Sequence, residues 1–489
     1  MTTEPEPVLT AIDQAFAAPR RRSITSRPIP ASVREIADDT FIDDSAIEDG
    51  STWRQVGWIE AFFAVQLLWG AMLFVPGAQP FRQYVRALPY ITSLAMLVWY
   101  LVRHRVTSMP PGGALLLGAS LLLVANLLHP TSQLSSGLAQ CVFQICIAAP
   151  LFWAHATVRS TRHVQRILVL IFVMSFVSAL LGVLQVYFPD RFMPPEFNSL
   201  GSRLNRYYID GLTYVGANGA DIIRPPGLTD QPGGAAVAGG LTAIIGLGLL
   251  LQRRHPLQVI TILSAIGIGL AAVYFTQVRS VLLAALGAGS LLGLAAFRQG
   301  RIVGASSILL VGASLMVGSF LWATSIGGDS VNDRFLNLTD TGLVQAYQDN
   351  RGGFLSYTVD ELLDKYPLGA GVGRWGMMST YFGDPSESAA TPIYVEIQLT
   401  GWLLDGGVPM WLLYGGAIAL ALLATLRATS SDDDAVSGSA IIVLAVQAFI
   451  AVMVLVSPVF NTQLGILFWA SGGLLYRAAT RNSGWSPTR

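Results

Sequence analysis

The sequence has one lysine, Lys365, two cysteines and five histidines, and charged residues make up only 12% of its 489 positions. An ordinary soluble domain is about one quarter charged, so this composition excludes a conventional water-soluble fold. The formal net charge is zero, and with arginine supplying nearly all the positive charge, no basic patch of the kind that binds nucleic acid stands out. Cys141 and Cys146 lie in one apolar run, off a common helical face, and give neither a disulfide framework nor a metal site. The long polar interval between Ser325 and Pro409 contains no histidine at all.

What is present in quantity is apolar. Hydrophobic residues make up 52% of the chain and the mean hydropathy is +0.53. Twelve apolar runs lie near 57–75, 85–102, 113–128, 137–156, 165–188, 233–252, 257–276, 279–297, 302–324, 403–426, 437–458 and 462–477. Most reach the roughly 17 to 25 residues a helix needs to cross a hydrocarbon core; the third and the last are short. The fold class expected is an all-α polytopic membrane protein of about twelve transmembrane helices, occupying 51–480, with a large extracytoplasmic loop containing short helices. Residues 1–50 are polar and punctuated by proline, with Arg20-Arg21-Arg22 and then an acidic run from Asp38 to Asp49. No apolar core follows the arginines closely enough for a signal peptide, so a disordered cytoplasmic tail is expected, with a second, short tail over 481–489.

Arginine placement supports the count. Short cytoplasmic loops carry an arginine excess, and with the N-terminus inside, the alternation puts Arg103, Arg105, Arg159, Arg162, Arg253, Arg254, Arg298, Arg301, Arg427, Arg477 and Arg481 on the cytoplasmic side. The two long intervals, 189–232 and 325–392, then fall outside. That face collects the polar residues, including Arg203, Arg206, Arg224, Arg334, Arg351, Arg374, Asp384 and Glu396.

Within the second interval, Leu355, Val359, Leu362 and Leu363 have the spacing of one helical face. Asp349 or Asn350 can cap that helix and Pro367 stops it. Arg351 falls on the same side as Leu355 and Leu362, where a cation needs an anionic partner. That partner is either a nearby carboxylate or a ligand. The following Gly369-Ala-Gly371-Val-Gly373 lacks the Lys-Ser/Thr of a nucleotide loop and is either a tight turn or a set of backbone donors for an anion. Arg279, in Thr276-Gln-Val-Arg279-Ser280, sits at the outer boundary between two apolar runs and either snorkels or holds an anion. Arg224, in Ile222-Ile-Arg-Pro-Pro-Gly-Leu-Thr-Asp-Gln-Pro-Gly234, is placed similarly. Three outward arginines, Arg224, Arg279 and Arg351, suit a diphosphate, because planar guanidinium groups donate in pairs to phosphate oxygens.

Arg224-Pro-Pro-Gly with a downstream Pro-Gly-Gly, Thr-Gln-Val-Arg279-Ser, Arg351, Tyr366-Pro-Leu-Gly-Ala-Gly-Val-Gly, and Glu396 before Asp405-Gly-Gly407 together resemble the bacterial O-antigen ligase and polymerase superfamily. The similarity covers about 165–430 and the twelve-helix plan. It implies a GT-C-like membrane glycosyltransferase, in the bacterial cytoplasmic membrane with both termini inside. Such an enzyme takes a polyprenyl-diphosphate-linked oligosaccharide at the outer face without metal or cofactor. Its other partners would be a growing glycan acceptor, the bilayer and other envelope polysaccharide assembly proteins. On this resemblance Arg224 and Arg279 bind diphosphate, with Arg351 additional. Ligases of the family carry a His-Asn type pair where this chain has Glu396, which favours a polymerase of exopolysaccharide or O-antigen over ligase-type transfer. Glu396 is then either a general base for a sugar hydroxyl or a structural carboxylate paired with an arginine. Arg374, Gln398, Tyr207, Tyr208 and Trp375 are secondary substrate-binding candidates, the aromatics either stacking on sugars or anchoring at the interface. A transporter remains the alternative from another class; it predicts ionisable groups near the membrane midplane.

Overall fold

The computed structural model describes residues 57–75, 77–104, 109–158, 160–194, 212–229, 231–252, 255–340, 342–384 and 392–483. The tail expected over 1–50, the residues Arg105, Arg159, Arg253 and Arg254, and the segment with Tyr207 and Tyr208 lie outside them. Among the described residues each apolar run falls on a helix: α1 (Trp58–Leu68), α2 (Arg82–Arg103), α3 (Gly113–Ala125), α4 (Leu134–Thr157), α5 (Thr161–Tyr187), α6 (Gly234–Leu250), α7 (Pro256–Thr276), α8 (Arg279–Arg298), α9 (Ile302–Asp340), α10 (Gln398–Ala428), α11 (Asp434–Val452) and α12 (Gln463–Ser483). Eight of the described helices are long and apolar enough to cross a membrane, and Trp58–Phe74, Gly113–Leu128 and Gly234–Leu250 are apolar but shorter. This is the architecture of an all-α polytopic membrane protein.

Burial follows from that setting. Trp153, Phe275, Phe449, Phe468 and Trp469 are fully enclosed, whereas Val98, Leu121, Leu310, Leu321 and Leu412 are exposed on helix surfaces. Exposed large apolar side chains would be a liability in water, but against lipid they are the expected exterior. Lipid tails are as apolar as leucine, so contact quality holds the helices together. Helix α6 packs on α5 and α7, α8 on α11, α4 on α2 and α12, and α10 on α3. An aromatic cluster of Trp402, Tyr414, Phe460 and Trp469 locks α10 against the start of α12.

Polar contacts sort into the two ends that alternation assigns. At one end, Glu60 meets His163 at 3.1 Å, Arg301 meets Asp434 at 3.2 Å, and Gln299 donates to the Thr429 carbonyl at 2.6 Å. At the other, Asn126 donates to the Asp405 carbonyl at 2.8 Å, Gln185 Nε2 to the Gly227 carbonyl at 3.0 Å, and Tyr347 to the Leu455 carbonyl at 3.2 Å. The second end carries the candidate site residues.

Two helix discontinuities shape that end. Helix α9 continues past the expected 324 and breaks at Gly328, whose φ of 58° with ψ of −146° suits only glycine. Beyond the break the chain doubles back: the Phe320 and Phe335 rings are 6.3 Å apart, where a straight helix would separate them by roughly 22 Å. A two-stranded antiparallel hairpin, β1 (Thr213–Val215) and β2 (Asp221–Ile223), docks on this break. Ala217 N donates to the Ile326 carbonyl at 2.9 Å and Ser330 Oγ to the Val215 carbonyl at 2.7 Å. Helix α10 breaks at Gly406 and Gly407, one residue beyond the buried Asp405.

The helix expected after Asp349 instead begins at Leu343 and runs to Lys365 with two π turns, Gln348–Gly352 and Thr358–Leu362. Asp349 and Asn350 are therefore interior; Asn350 donates to the Ala346 carbonyl at 2.7 Å and does not cap. The wider turns also rotate the buried face, as π turns do. Gly352, Thr358 and Leu362 are buried, and Val359 is exposed.

Candidate functional site

Arg224 follows β2, and its backbone is fixed on both sides. Its N–H donates to the Leu212 carbonyl at 2.9 Å and its carbonyl accepts from Gly233 N at 3.2 Å. The Pro225-Pro226-Gly227 bend is clamped by buried Gln185, whose Oε1 accepts from Gly227 N at 2.8 Å. Arg279 opens α8. It is brought there by a three-residue reversal in which Gln277 takes the left-handed φ of 56°, rare for a residue with a side chain. No side chain caps this helix start, so its unpaired N–H groups add a partial positive charge. Arg334 lies in the returned segment of α9.

The three arginines form one field. The charges of Arg224 and Arg279 both act on Arg334. Among the described residues no carboxylate pairs with any of the three, and the Nε atoms of Arg224 and Arg334 are buried without a hydrogen-bond partner. Burial works against the Arg224 charge. The Tyr214 hydroxyl is itself buried and unpartnered; burial raises its pKa, so it remains a donor. Unsatisfied donors are costly inside a protein. Three of them, two on guanidinium groups that share a field with Arg279 at a helix N-terminus, are complementary to a polyanion.

Arg351, unlike those three, is paired with a carboxylate. Its Nη1 lies 2.7 Å from Glu396 Oε2, and Tyr394 donates to Glu396 Oε1. The Tyr394 ring lies 6.0 Å from Phe354.

The remaining candidates fall into the scaffold. In the glycine run, Ala370 N donates to the Leu404 carbonyl at 2.7 Å and Val372 N to Ser132 Oγ at 2.8 Å. Those N–H groups are therefore committed to packing and do not face an anion. Arg374 is buried and donates to the Ala370 carbonyl at 2.8 Å, bracing the same turn. Trp375 is 1% exposed, with Nε1 on Asp405 Oδ1 at 2.9 Å. Its ring cannot stack on a sugar without moving the core. Gln398 is fully buried and accepts from Phe460 N at 2.8 Å, so it too is structural. Tyr381 is exposed and bonded to Arg86 at 2.8 Å.

The site thus unites Arg224 and Arg279, pairs Arg351 with Glu396, and adds Arg334 and Tyr214. In the sequence Arg334 is one arginine in a polar interval, and only the break at Gly328 brings it to the others. Fold and site together define a polytopic membrane protein with a cluster of arginines at one end of its helices. No protein-family model matches the chain, and no curated protein matches it.

Proposed function

We propose that this protein is a glycosyltransferase of the cytoplasmic membrane. In this reading twelve helices cross the bilayer in a GT-C-like arrangement, the Arg301–Asp434 end is cytoplasmic and the arginine cluster is outside. The enzyme joins polyprenyl-diphosphate-linked glycan repeat units in exopolysaccharide or O-antigen synthesis. The observation that supports it is the field of Arg224, Arg279 and Arg334, with buried, unpartnered donors and no carboxylate to neutralise it among the described residues.

The chemistry follows from charge. The anomeric C–O bond to the diphosphate breaks as an acceptor hydroxyl oxygen bonds to the same carbon. The bonding pair leaves on the lipid diphosphate, and the arginines stabilise that charge where it develops. The acceptor proton passes to Glu396, which Arg351 and Tyr394 hold in place. Displacement in one step inverts the anomeric centre.

The break in α10 beside buried Asp405 favours a second reading, transport of a lipid-linked glycan, because discontinuous helices with ionisable groups mark transport sites. Ligase-type transfer to another acceptor uses the same donor site. A reconstituted assay separates the readings. Purified protein with a polyprenyl-diphosphate-linked repeat unit should lengthen the glycan, and folded Arg279→Ala and Glu396→Gln variants should not. Undiminished extension by both variants, or none by the wild type with a matched substrate, overturns the assignment; flux across vesicles without extension establishes transport.

A further inference from the structure

The end opposite the arginine cluster holds a cavity of about 940 Å³ among α5, α6, α7, α9 and α11. Its lining is graded. Arg301, Asp434 and Gln252 stand at the level of the helix ends, and Leu263, Ile308 and Val311 line the part reaching into the bundle. The surface beside it is apolar: Leu257, Ile260, Val303 and Leu310 are all more than half exposed, so the cavity adjoins the lipid-facing exterior.

The polar level carries both signs of charge. Arg301 Nη2 is 3.2 Å from Asp434 Oδ1, and the Asp434 side chain is 96% exposed while Arg301 is 30% exposed. So open a pair contributes little to stability, and its members can exchange each other for a ligand. Gln252 Nε2 is buried there without a partner. A purely anionic headgroup would meet Asp434, and a purely cationic one Arg301. A group with a phosphate and a primary ammonium side by side satisfies both, with the Gln252 amide as a further donor.

We propose that this cavity is a binding site for one zwitterionic phospholipid with a phosphoethanolamine headgroup, drawn from the leaflet at this end of the helices. The phosphate lies against Arg301 and the ammonium against Asp434. The upper acyl chains follow Leu263, Ile308 and Val311. A phosphocholine headgroup fits less well, because its quaternary ammonium has no N–H to give Asp434. Nothing in this assignment depends on the chemistry at the opposite end.

Native mass spectrometry of the full-length protein in mild detergent tests it, with phosphoethanolamine, phosphocholine and phosphoglycerol lipids of identical acyl chains added in turn. The expected result is one retained phosphoethanolamine lipid, favoured roughly tenfold over the other two. Asp434→Asn should erase the preference over phosphocholine. Ser307→Trp, at an exposed lining position that the ring fills inward, should lower retention of all three while leaving the unfolding temperature unchanged. Equal retention of the three lipids, preference for phosphoglycerol, no retained lipid, or retention unaffected by both substitutions overturns the proposal.

Discussion

The indole Nε1 of Trp375 donates to Asp405 Oδ1 at 2.9 Å, and Gln140 Nε2 approaches the other carboxylate oxygen at 3.5 Å. Both Trp375 and Asp405 are 1% exposed. The bond therefore ties the glycine turn to the break in α10, and removing its donor strands a buried oxygen at a cost of about 1–3 kcal/mol. Trp375→Phe is expected to lower the unfolding temperature in detergent. A double-mutant cycle with Asp405→Leu should give a coupling of roughly 0.5–3 kcal/mol; strictly additive losses would show that the bond holds nothing together.

The glycine turn itself makes a prediction of opposite signs. Gly371 and Gly373 have φ of 89° and 82°, and an added Cβ would meet Ser132 N at 2.8 Å and Gly137 N at 2.4 Å. Those are backbone atoms and cannot rotate away. Gly373→Ala should destabilise by on the order of 1–3 kcal/mol. Gly353, by contrast, is helical with open space around its Cβ position, so Gly353→Ala should stabilise by roughly 0.5–1 kcal/mol. Thermal unfolding of the two variants side by side measures both, and shifts of the same sign would contradict the packing described.

The apolar runs were legible in the sequence because a bilayer imposes length and hydropathy on each helix independently. The reversal at Thr276-Gln277-Val278 was legible for the same reason: two apolar runs left no room for a loop. What linear order hides are discontinuities. The return of α9 after Gly328 brings Arg334, which looks unrelated in the sequence, to Arg224 and Arg279. The π turns at Gln348–Gly352 and Thr358–Leu362 shift a face that ordinary helical spacing assigns to Val359. Trp375 and Gln398 look available for a substrate because they sit in a polar interval, but folding places them beneath the turn and the broken helix. Polarity of a segment predicts which end it occupies, and it does not predict which side chains remain uncovered.

Arg351 and Glu396 make a prediction that separates stability from chemistry. Their side chains are 35% and 22% exposed, and the atoms are 2.7 Å apart, so the pair contributes on the order of 1 kcal/mol or less after solvent screening. Arg351→Glu and Glu396→Arg each place like charges together and should each lower the unfolding temperature. The combined reversal restores an ion pair and should recover most of that loss. It also moves the carboxylate to the other side of the contact, so glycan extension should stay lost in the stable double variant. Recovery of extension along with stability would make the pair structural alone.

The arginine cluster yields the sharpest contrast, because its charges oppose one another until an anion arrives. Arg334 feels the like charges of Arg224 and Arg279, and its Nε is buried and unpartnered. In the absence of ligand, Arg334→Gln removes repulsion and a desolvated cation, so the unfolding temperature should hold or rise. Strain of this kind is retained where a site needs it. Adding a diphosphate reverses the comparison. Ligand binding stabilises by about 2.7 kcal/mol at a concentration 100 times Kd, so diphosphate should raise the wild-type unfolding temperature and raise that of Arg334→Gln much less. Arg334→Lys should recover little, since a point charge cannot donate in pairs to phosphate oxygens. Equal stabilisation of wild type and variant by the anion would remove Arg334 from the site, and a lower unliganded stability in Arg334→Gln would show that the guanidinium is satisfied without any ligand.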